Sequence, residues 1–184
     1  PAAIARVRIN AFAQGGDATR GPHRVDFLWD EPLPASGASP MTLTDVLAKV
    51  ESSSDPALEL LKEYCRFPTI SAHKKAQPET AAFVRRILNE NGFEAREYPT
   101  EGGPNVVVGQ MIVDETRPTL LMYEHYDVQP TDPIHEWKRD PFDPVVQDGK
   151  FWARGCGDTK GNLIAQLLAV QAWRDVEGAP PINL

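Results

Sequence analysis

Apolar residues recur at three- and four-residue spacing in four segments of the chain, a period that is typical of amphipathic helices. The predicted helices begin near Thr42, at Asp55 and at Pro78, and the last covers residues 159–174. Thr42 and Asp45 have the spacing of a capping box. Pro56 follows Asp55 in the first turn, where its missing N–H has no helical partner to lose. Gly92 follows the last apolar position of the third segment and is expected to end that helix.

Short runs of β-branched and aromatic residues between the helical segments predict strands. The runs cover residues 93–98, 106–113, 119–123, 145–146 and 151–152, and residues 182–184 have the composition of a strand that is beginning. Turn-forming residues 114–118 predict that the second and third runs form a hairpin, and Asp148-Gly149 predicts another between the last two runs. Helices that alternate with strands indicate the α/β class, and we predict an α/β/α sandwich around a mixed sheet.

Residues 1–40 differ from the rest of the chain. Their four arginines balance four acidic residues, so the whole net negative charge falls in residues 41–184. They show no sustained period and end in a stretch rich in proline, serine and glycine, which is typical of a tail or linker. We therefore predict that residues 1–40 are a tail or linker outside the fold and that residues 41–184 are folded. A mitochondrial-type transit segment is an alternative for the first 16 residues, which carry arginine but no acid.

Charge, hydropathy and cysteine content exclude several classes of protein. The 184 residues contain 19 Lys and Arg against 26 Asp and Glu, and the net charge of −7 argues against a nucleic-acid or anionic-membrane partner. The most apolar stretch, residues 163–173, contains two glutamines and is too short to span a membrane. Cys65 and Cys156 cannot form a disulfide framework and lack the spacing of a zinc knuckle. This favours a reducing compartment and predicts a cytoplasmic protein.

The first candidate for chemistry is His125, which comes shortly after the apolar run of residues 119–123. Ligands of open α/β sheets bind beyond the carboxyl ends of the strands, so this position suits a site. Asp127 lies two residues further on, and in an extended segment the two side chains share a face. A carboxylate there can accept the second imidazole N–H of a metal-bound histidine. For the pair alone, the alternative is a surface histidine whose polar atoms are satisfied.

The second candidate is Asp158, which lies 33 residues after His125 in a glycine-rich loop before the last helix. The glycines give the loop the freedom to bring this carboxylate close to another group. We expect Asp158 to approach His125, because both lie in strand-end or helix-start loops, where ligands of α/β sheets gather. A helix N-cap is the alternative for Asp158. The neighbouring Lys160 is interpreted as a salt-bridge or solvent residue. Cys156 is interpreted as a small packed side chain, with a soft zinc ligand as its alternative.

Several short motifs in this region occur in one order and at one spacing. They are His125 to Pro130, Trp137, Pro141-Phe142, Asp148 to Lys150, Arg154-Gly155 and Asp158 to Gly161. Together they resemble the core of the two-zinc hydrolases that include aminoacylases, acetylornithine deacetylase, succinyl-diaminopimelate desuccinylase, glutamate carboxypeptidases and carnosine-type dipeptidases. Trp137 and Pro141-Phe142 resemble the dipeptidase-like branch. The resemblance extends over residues 41–184 and leaves out residues 1–40.

The resemblance implies a role for each candidate residue. His125 would bind one metal ion, Asp158 would bridge two, and Asp127 would orient His125, with a cis peptide bond after Asp158. The implied cofactor is zinc, two ions per complete site, with manganese or cobalt as alternatives. The implied reaction is hydrolysis of a peptide or N-acyl amino acid amide bond by a metal-activated water, with a glutamate carrying the proton to the leaving amine. A homodimer is implied for the full-length form.

The chain also departs from the family pattern. Glu124 stands where the family has glycine, and strand alternation would turn its carboxylate away from His125 towards the neighbouring layer. No Glu-Glu pair occurs in the sequence, whereas the family has paired glutamates, a third carboxylate ligand and a C-terminal histidine. We therefore expect residues 41–184 to be the N-terminal part of a catalytic domain, incomplete at the C-terminus and inactive alone. The alternative is a non-catalytic α/β scaffold or interaction subunit that retains the fold.

Overall fold

The computed structural model describes residues 40–184, so the predicted tail or linker and the alternative transit segment lie, except for Pro40, outside the described residues. The elements in chain order are helices α1 (Pro40–Ser52), α2 (Ser54–Cys65) and α3 (Gln77–Glu90), strands β1 (Glu94–Tyr98), β2 (Val106–Gln110), β3 (Val145–Gln147) and β4 (Lys150–Trp152), and helix α4 (Gly161–Glu177). All four predicted helices are confirmed, each starting within two residues of the predicted position. In this part of the chain, no helix is long and apolar enough to cross a membrane.

Helices α2, α3 and α4 enclose the core because each turns its apolar positions inward. In α3, Phe83, Val84 and Ile87 recur at helical spacing and are buried. The Phe83 ring stacks on Tyr64 of α2 with the ring centroids 5.0 Å apart. Helix α4 contributes Ile164, Leu167 and Val170, and Phe93 and Met111 close the cluster.

Strands β1 and β2 form an antiparallel hairpin in which Glu94 pairs with Gln110 and Tyr98 with Val106. The predicted hairpin between residues 106–113 and 119–123 is therefore wrong. The β2 strand ends at Gln110, and of the later run only Thr119 forms a bridge, parallel to Asn183. The run of residues 106–113 contains the strand β2, whereas the strand predicted over residues 119–123 is reduced to the bridge at Thr119.

Asn183 explains why the two runs do not pair. Residues 182–184 lie between them: the Leu184 and Met111 backbones exchange hydrogen bonds of 3.0 and 2.9 Å, and the Leu120 N–H donates to the Asn183 carbonyl at 2.9 Å. The Asn183 side chain accepts from the Val113 N–H and donates to the Asp114 carbonyl, both at 2.8 Å. A segment near the end of the sequence thus occupies the hydrogen-bonding positions that a local hairpin would use.

The second predicted hairpin is confirmed. Strands β3 and β4 pair antiparallel, with Val145 opposite Trp152. Asp148 and Gly149 both adopt positive φ, 53° and 68°, as a two-residue hairpin turn requires. With the parallel bridge between Ile70 and Val128, the described chain combines helices, antiparallel ribbons and parallel pairings, in agreement with the predicted α/β class and its mixed pairing.

The extended segment that precedes His125 is only partly covered. Met122 packs against the core, but the side chains of Leu121 and Tyr123 are 76% and 74% exposed. In the described part of the chain, residues 120–123 belong to no strand ladder. Exposed apolar side chains on a segment that pairs with no neighbouring strand favour association with another chain.

We expect the double variant Leu121→Ser/Tyr123→Ser to reduce self-association of the 184-residue chain, because it removes the apolar side chains of this exposed segment. Static light scattering over a range of concentrations measures the effect. Leu47→Ser is the matched control, since it removes an exposed apolar side chain from α1. A wild-type chain that is monomeric at all concentrations, or an equal effect of the control, would contradict this expectation.

Candidate metal centre

The His125 ring lies between two carboxylates. Its Nδ1 atom is 3.0 Å from the Oδ1 atom of Asp127 and 3.1 Å from the Asp127 carbonyl oxygen. Its Nε2 atom is 3.1 Å from the Oδ1 atom of Asp158, despite the separation of 33 residues. The expectation that these two candidates approach each other is confirmed.

This arrangement has a direct electrostatic consequence. A neutral imidazole carries one N–H, so it can donate to only one of its two carboxylate neighbours. When Nδ1–H donates to Asp127, the lone pairs of Nε2 and of the Asp158 carboxylate face each other across 3.1 Å. A cation between them, either a proton or a metal ion, removes this repulsion. One imidazole nitrogen and one carboxylate oxygen form a donor set that suits zinc, and Asp127 orients the ring from behind.

Asp158 is presented by an irregular turn rather than by a regular helix. The turn covers Cys156–Lys160, and Asp158 within it has φ −142° and ψ 91°. The peptide bond between Asp158 and Thr159 is cis, as the family resemblance implies. Helix α4 begins only at Gly161 without a side-chain cap, so the alternative of an N-cap role for Asp158 is wrong. Its side chain is 75% exposed, while that of His125 is 36% exposed.

Two glycines allow the turn to pack closely. Gly155 has φ +81°, and a Cβ atom at this position would lie 2.5 Å from the Cγ1 atom of Val128. A Cβ atom on Gly161 would collide with the carbonyl oxygen of Cys156. Glycine at position 155 therefore lets the turn approach the segment that carries His125, and glycine at position 161 lets the turn close on its own backbone.

Hydrogen bonds fix the two segments relative to each other and to the fold. The Thr159 hydroxyl donates to the His125 carbonyl at 2.7 Å, which links the turn directly to the histidine backbone. The Tyr126 hydroxyl donates to the Asn105 carbonyl at 2.6 Å, and burial raises the pKa of this phenol. The Gln166 amide of α4 donates to Glu124 at 2.8 Å. The carboxylate that replaces the family glycine is thus engaged by the neighbouring helix layer.

Lys160 is not the solvent residue that its charge suggested. Its side chain is fully buried, and its ammonium donates to the carbonyls of Tyr64 at 3.0 Å and Phe67 at 2.8 Å. Burial lowers the pKa of this ammonium to about 8, so it remains mainly protonated at neutral pH. Lys160 precedes Ile164 and Leu167 at helical spacing on the apolar side of α4. That periodicity was the sequence signal for its burial.

The other candidate ligands do not join the site. Cys156 is half-buried with its Sγ atom 3.8 Å from the Phe151 carbonyl oxygen, and His135 is exposed in the short turn Ile134–Glu136. Among residues 40–184, no group of three His, Cys, Asp or Glu side chains converges as a metal site. The structure thus brings His125 and Asp158 together as a facing pair of possible donors, with Asp127 behind the ring.

We expect Gly155→Ala to lower the free energy of unfolding by about 1–3 kcal/mol more than Gly149→Ala. Both glycines have positive φ, but only at Gly155 does the added Cβ meet another residue. The difference therefore isolates the contact with Val128. Urea denaturation of the two variants measures it, and equal destabilisation would show that the close packing is not required.

Comparison with known proteins shows which family the chain resembles. Residues 121–184 match the model of Peptidase family M20/M25/M40. The chain is 32% identical over 120 residues to a cysteinylglycine-S-conjugate dipeptidase from Corynebacterium striatum, covering 65% of this chain and 26% of that protein.

Solved structures agree with this match. The M20 family metallo-carboxypeptidase from Sulfolobus solfataricus is 39% identical with a TM-score of 0.61, covering 65% of this chain and 27% of that one. Human carnosine dipeptidase 1 is 27% identical with a TM-score of 0.69, covering 77% and 33%. The chain thus spans about a quarter to a third of these relatives. The predicted α/β class and the predicted resemblance are confirmed: residues 121–184 match the family model, and the chain is similar to M20 peptidases over about two thirds of its length or more.

Proposed function

We propose that this chain carries part of the active site of a metal-dependent hydrolase that cleaves the amide bond of dipeptides or N-acyl amino acids. The observation that supports this most is His125, whose two ring nitrogens face the carboxylates of Asp127 and Asp158. The family implies a divalent metal, and the names of the relatives specify dipeptidase and carboxypeptidase activities. Small peptides are therefore the substrate class that we propose.

The residues present fit the implied metal. His125 Nε2 and the Asp158 carboxylate would hold it, and zinc is the ion that we propose, with two ions per complete site. When bound, these ions polarise the scissile carbonyl and lower the pKa of a water molecule towards neutrality. Asp127 accepts a hydrogen bond from Nδ1–H and so keeps the Nε2 lone pair available as a ligand. The Thr159 hydroxyl holds the His125 backbone in register with the turn.

Proton transfer to the leaving amine requires a further carboxylate. Glu124 is adjacent to His125 in sequence, but its carboxylate is engaged by Gln166, and we assign it no part in this step. Because two credible ligands are too few for tight binding, we propose that the 184-residue chain alone is inactive. The homodimer of the full-length form and the cytoplasmic location remain predictions.

The second candidate function is a non-catalytic scaffold or interaction subunit with the family fold, which would equally show no three-ligand group within residues 40–184. A hydrolysis assay separates the two candidates. Any longer protein that contains this chain should release free amino acids from carnosine or from a cysteinylglycine conjugate when zinc, manganese or cobalt is supplied. No hydrolysis of either substrate with any of the three metals would favour the scaffold.

We expect the 184-residue chain to bind zinc weakly and to lose it on dialysis against a chelator. His125→Ala and Asp158→Ala should each abolish the remaining binding, because each removes a ligand. Asp127→Ala should weaken it by about 10- to 100-fold, because it removes only the group that orients the ring. A zinc titration followed by NMR measures these affinities.

His135→Ala is the matched control, since this exposed histidine lies outside the site and its loss should change nothing. Stoichiometric zinc that survives the chelator would overturn the two-ligand assignment. If His135→Ala or Cys156→Ala then removed that zinc, His135 or Cys156, respectively, would be identified as a ligand.

In any active protein that contains this chain, Asp127→Ala should reduce kcat/KM by about 10- to 100-fold. His125→Ala and Asp158→Ala should reduce it further, and Asp158→Ala should have the larger effect if it contacts both ions. Steady-state dipeptide hydrolysis measures the three variants. Equal and mild effects would mean that these residues serve the fold alone.

A further inference from the structure

Lys160 is a fully buried cation beside the candidate metal centre that the proposed chemistry does not use. Its Nζ atom donates to the carbonyls of Tyr64 and Phe67 and lies 4.9 Å from the centroid of the Tyr64 ring. Tyr64 belongs to the last turn of α2, and Phe67 lies just beyond that helix. The ammonium therefore occupies the negative end of the α2 dipole, where a cation is stabilised.

A buried charge is costly unless hydrogen bonds replace its hydration. Here two charge-assisted hydrogen bonds and an aromatic face surround the ammonium, so the side chain has one favourable position. The carbonyls that it binds are themselves fixed, because Tyr64 stacks on Phe83 in the core. Lys160 thus ties its own backbone to a rigid part of the fold.

The Lys160 backbone closes the turn that presents Asp158. Its N–H donates to the Gly155 carbonyl at 3.0 Å, and Asp158 lies inside the loop closed by this bond. Thr159, between Asp158 and Lys160, donates to the His125 carbonyl. A shift of Lys160 would therefore displace both the carboxylate and the link to the histidine.

The stretch of residues 64–69 supports both halves of the site. It receives the Lys160 ammonium at Tyr64 and Phe67, and the Thr69 carbonyl accepts the Val128 N–H at 2.8 Å. Val128 continues the segment that carries His125 and Asp127, while Lys160 ends the turn that carries Asp158. One short stretch after α2 is thus in hydrogen-bond contact with both segments.

We propose that Lys160 is a positioning residue: by anchoring the Asp158 turn to residues 64–69, it sets the Asp158 carboxylate opposite Nε2 of His125. The effect of Lys160 on metal binding rests on the proposed metal site, but its effect on the position of Asp158 applies to the metal-free chain. We assign Lys160 no catalytic role, since its ammonium is buried and bonded to the carbonyls at the end of α2.

The test compares Lys160→Met, which keeps the length but no donor, with Lys160→Arg, which keeps charge and donors. Lys150→Met is the matched control, because Lys150 is exposed on β4. The first readout is the ring ¹⁵N chemical shifts of His125 in the metal-free chain at one pH, with Asp158→Ala as the reference for a lost contact. The second is the zinc dissociation constant, and urea denaturation identifies folded variants.

In folded Lys160→Met, we expect the His125 shifts to move to those of Asp158→Ala and zinc affinity to fall by about 10- to 100-fold, the range for lost orienting groups. Lys160→Arg should recover part of both, and Lys150→Met should match the wild type. Wild-type His125 shifts in folded Lys160→Met would overturn the proposal and leave Lys160 a purely structural residue.

If Lys160→Met does not fold, Lys160→Gln, which keeps a donor without the charge, takes its place under the same criteria. The two proposals fail separately. Moved His125 shifts in a chain whose wild type binds no zinc would reject the metal site and support the positioning role. Zinc binding by the wild type, together with unmoved His125 shifts in the folded Lys160 variants, would support the metal site and reject the positioning role.

Discussion

The close packing of the Asp158 turn against the segment that carries His125 is the constraint on which the site depends. A side chain at Gly155 would collide with Val128, so the approach requires glycine at that position. Once the backbones are this close, the Thr159 hydroxyl reaches the His125 carbonyl, and Asp158 reaches Nε2 of the ring. The same packing brings Lys160 to the end of α2, where the turn is anchored.

The sequence predicts those features of this molecule that depend on local physics. The four helices follow from apolar periodicity, and the β3–β4 hairpin follows from Asp148-Gly149, whose positive φ values suit the turn. The juxtaposition of His125 and Asp158 was predicted because ligands of α/β folds gather at strand ends and helix starts. The motifs supported it independently, since several short pieces in one order identify a family more specifically than any one of them.

What the sequence did not predict depends on contacts between distant residues. The predicted partner of β2 was wrong because Asn183, 70 residues away from Val113, takes the hydrogen-bonding position beside Val113 that the hairpin would use. Lys160 was interpreted as a salt-bridge or solvent residue because its charge was given more weight than its place in the apolar period of α4, and its carbonyl partners lie 93 and 96 residues away. Glu124 was predicted to face the neighbouring layer, but strand alternation could not name Gln166 as its partner.

We propose that Nε2 of His125 and the Asp158 carboxylate share a cation, because a neutral ring cannot donate to both of its carboxylate neighbours. Anomalous diffraction at the zinc edge, from crystals soaked in zinc, tests this most directly. We predict an anomalous peak beside this pair, within bonding distance, about 2.1 Å, of both Nε2 and an Asp158 oxygen. Zinc bound elsewhere on the chain, with His125 Nε2 still in hydrogen-bond contact with Asp158, would contradict it.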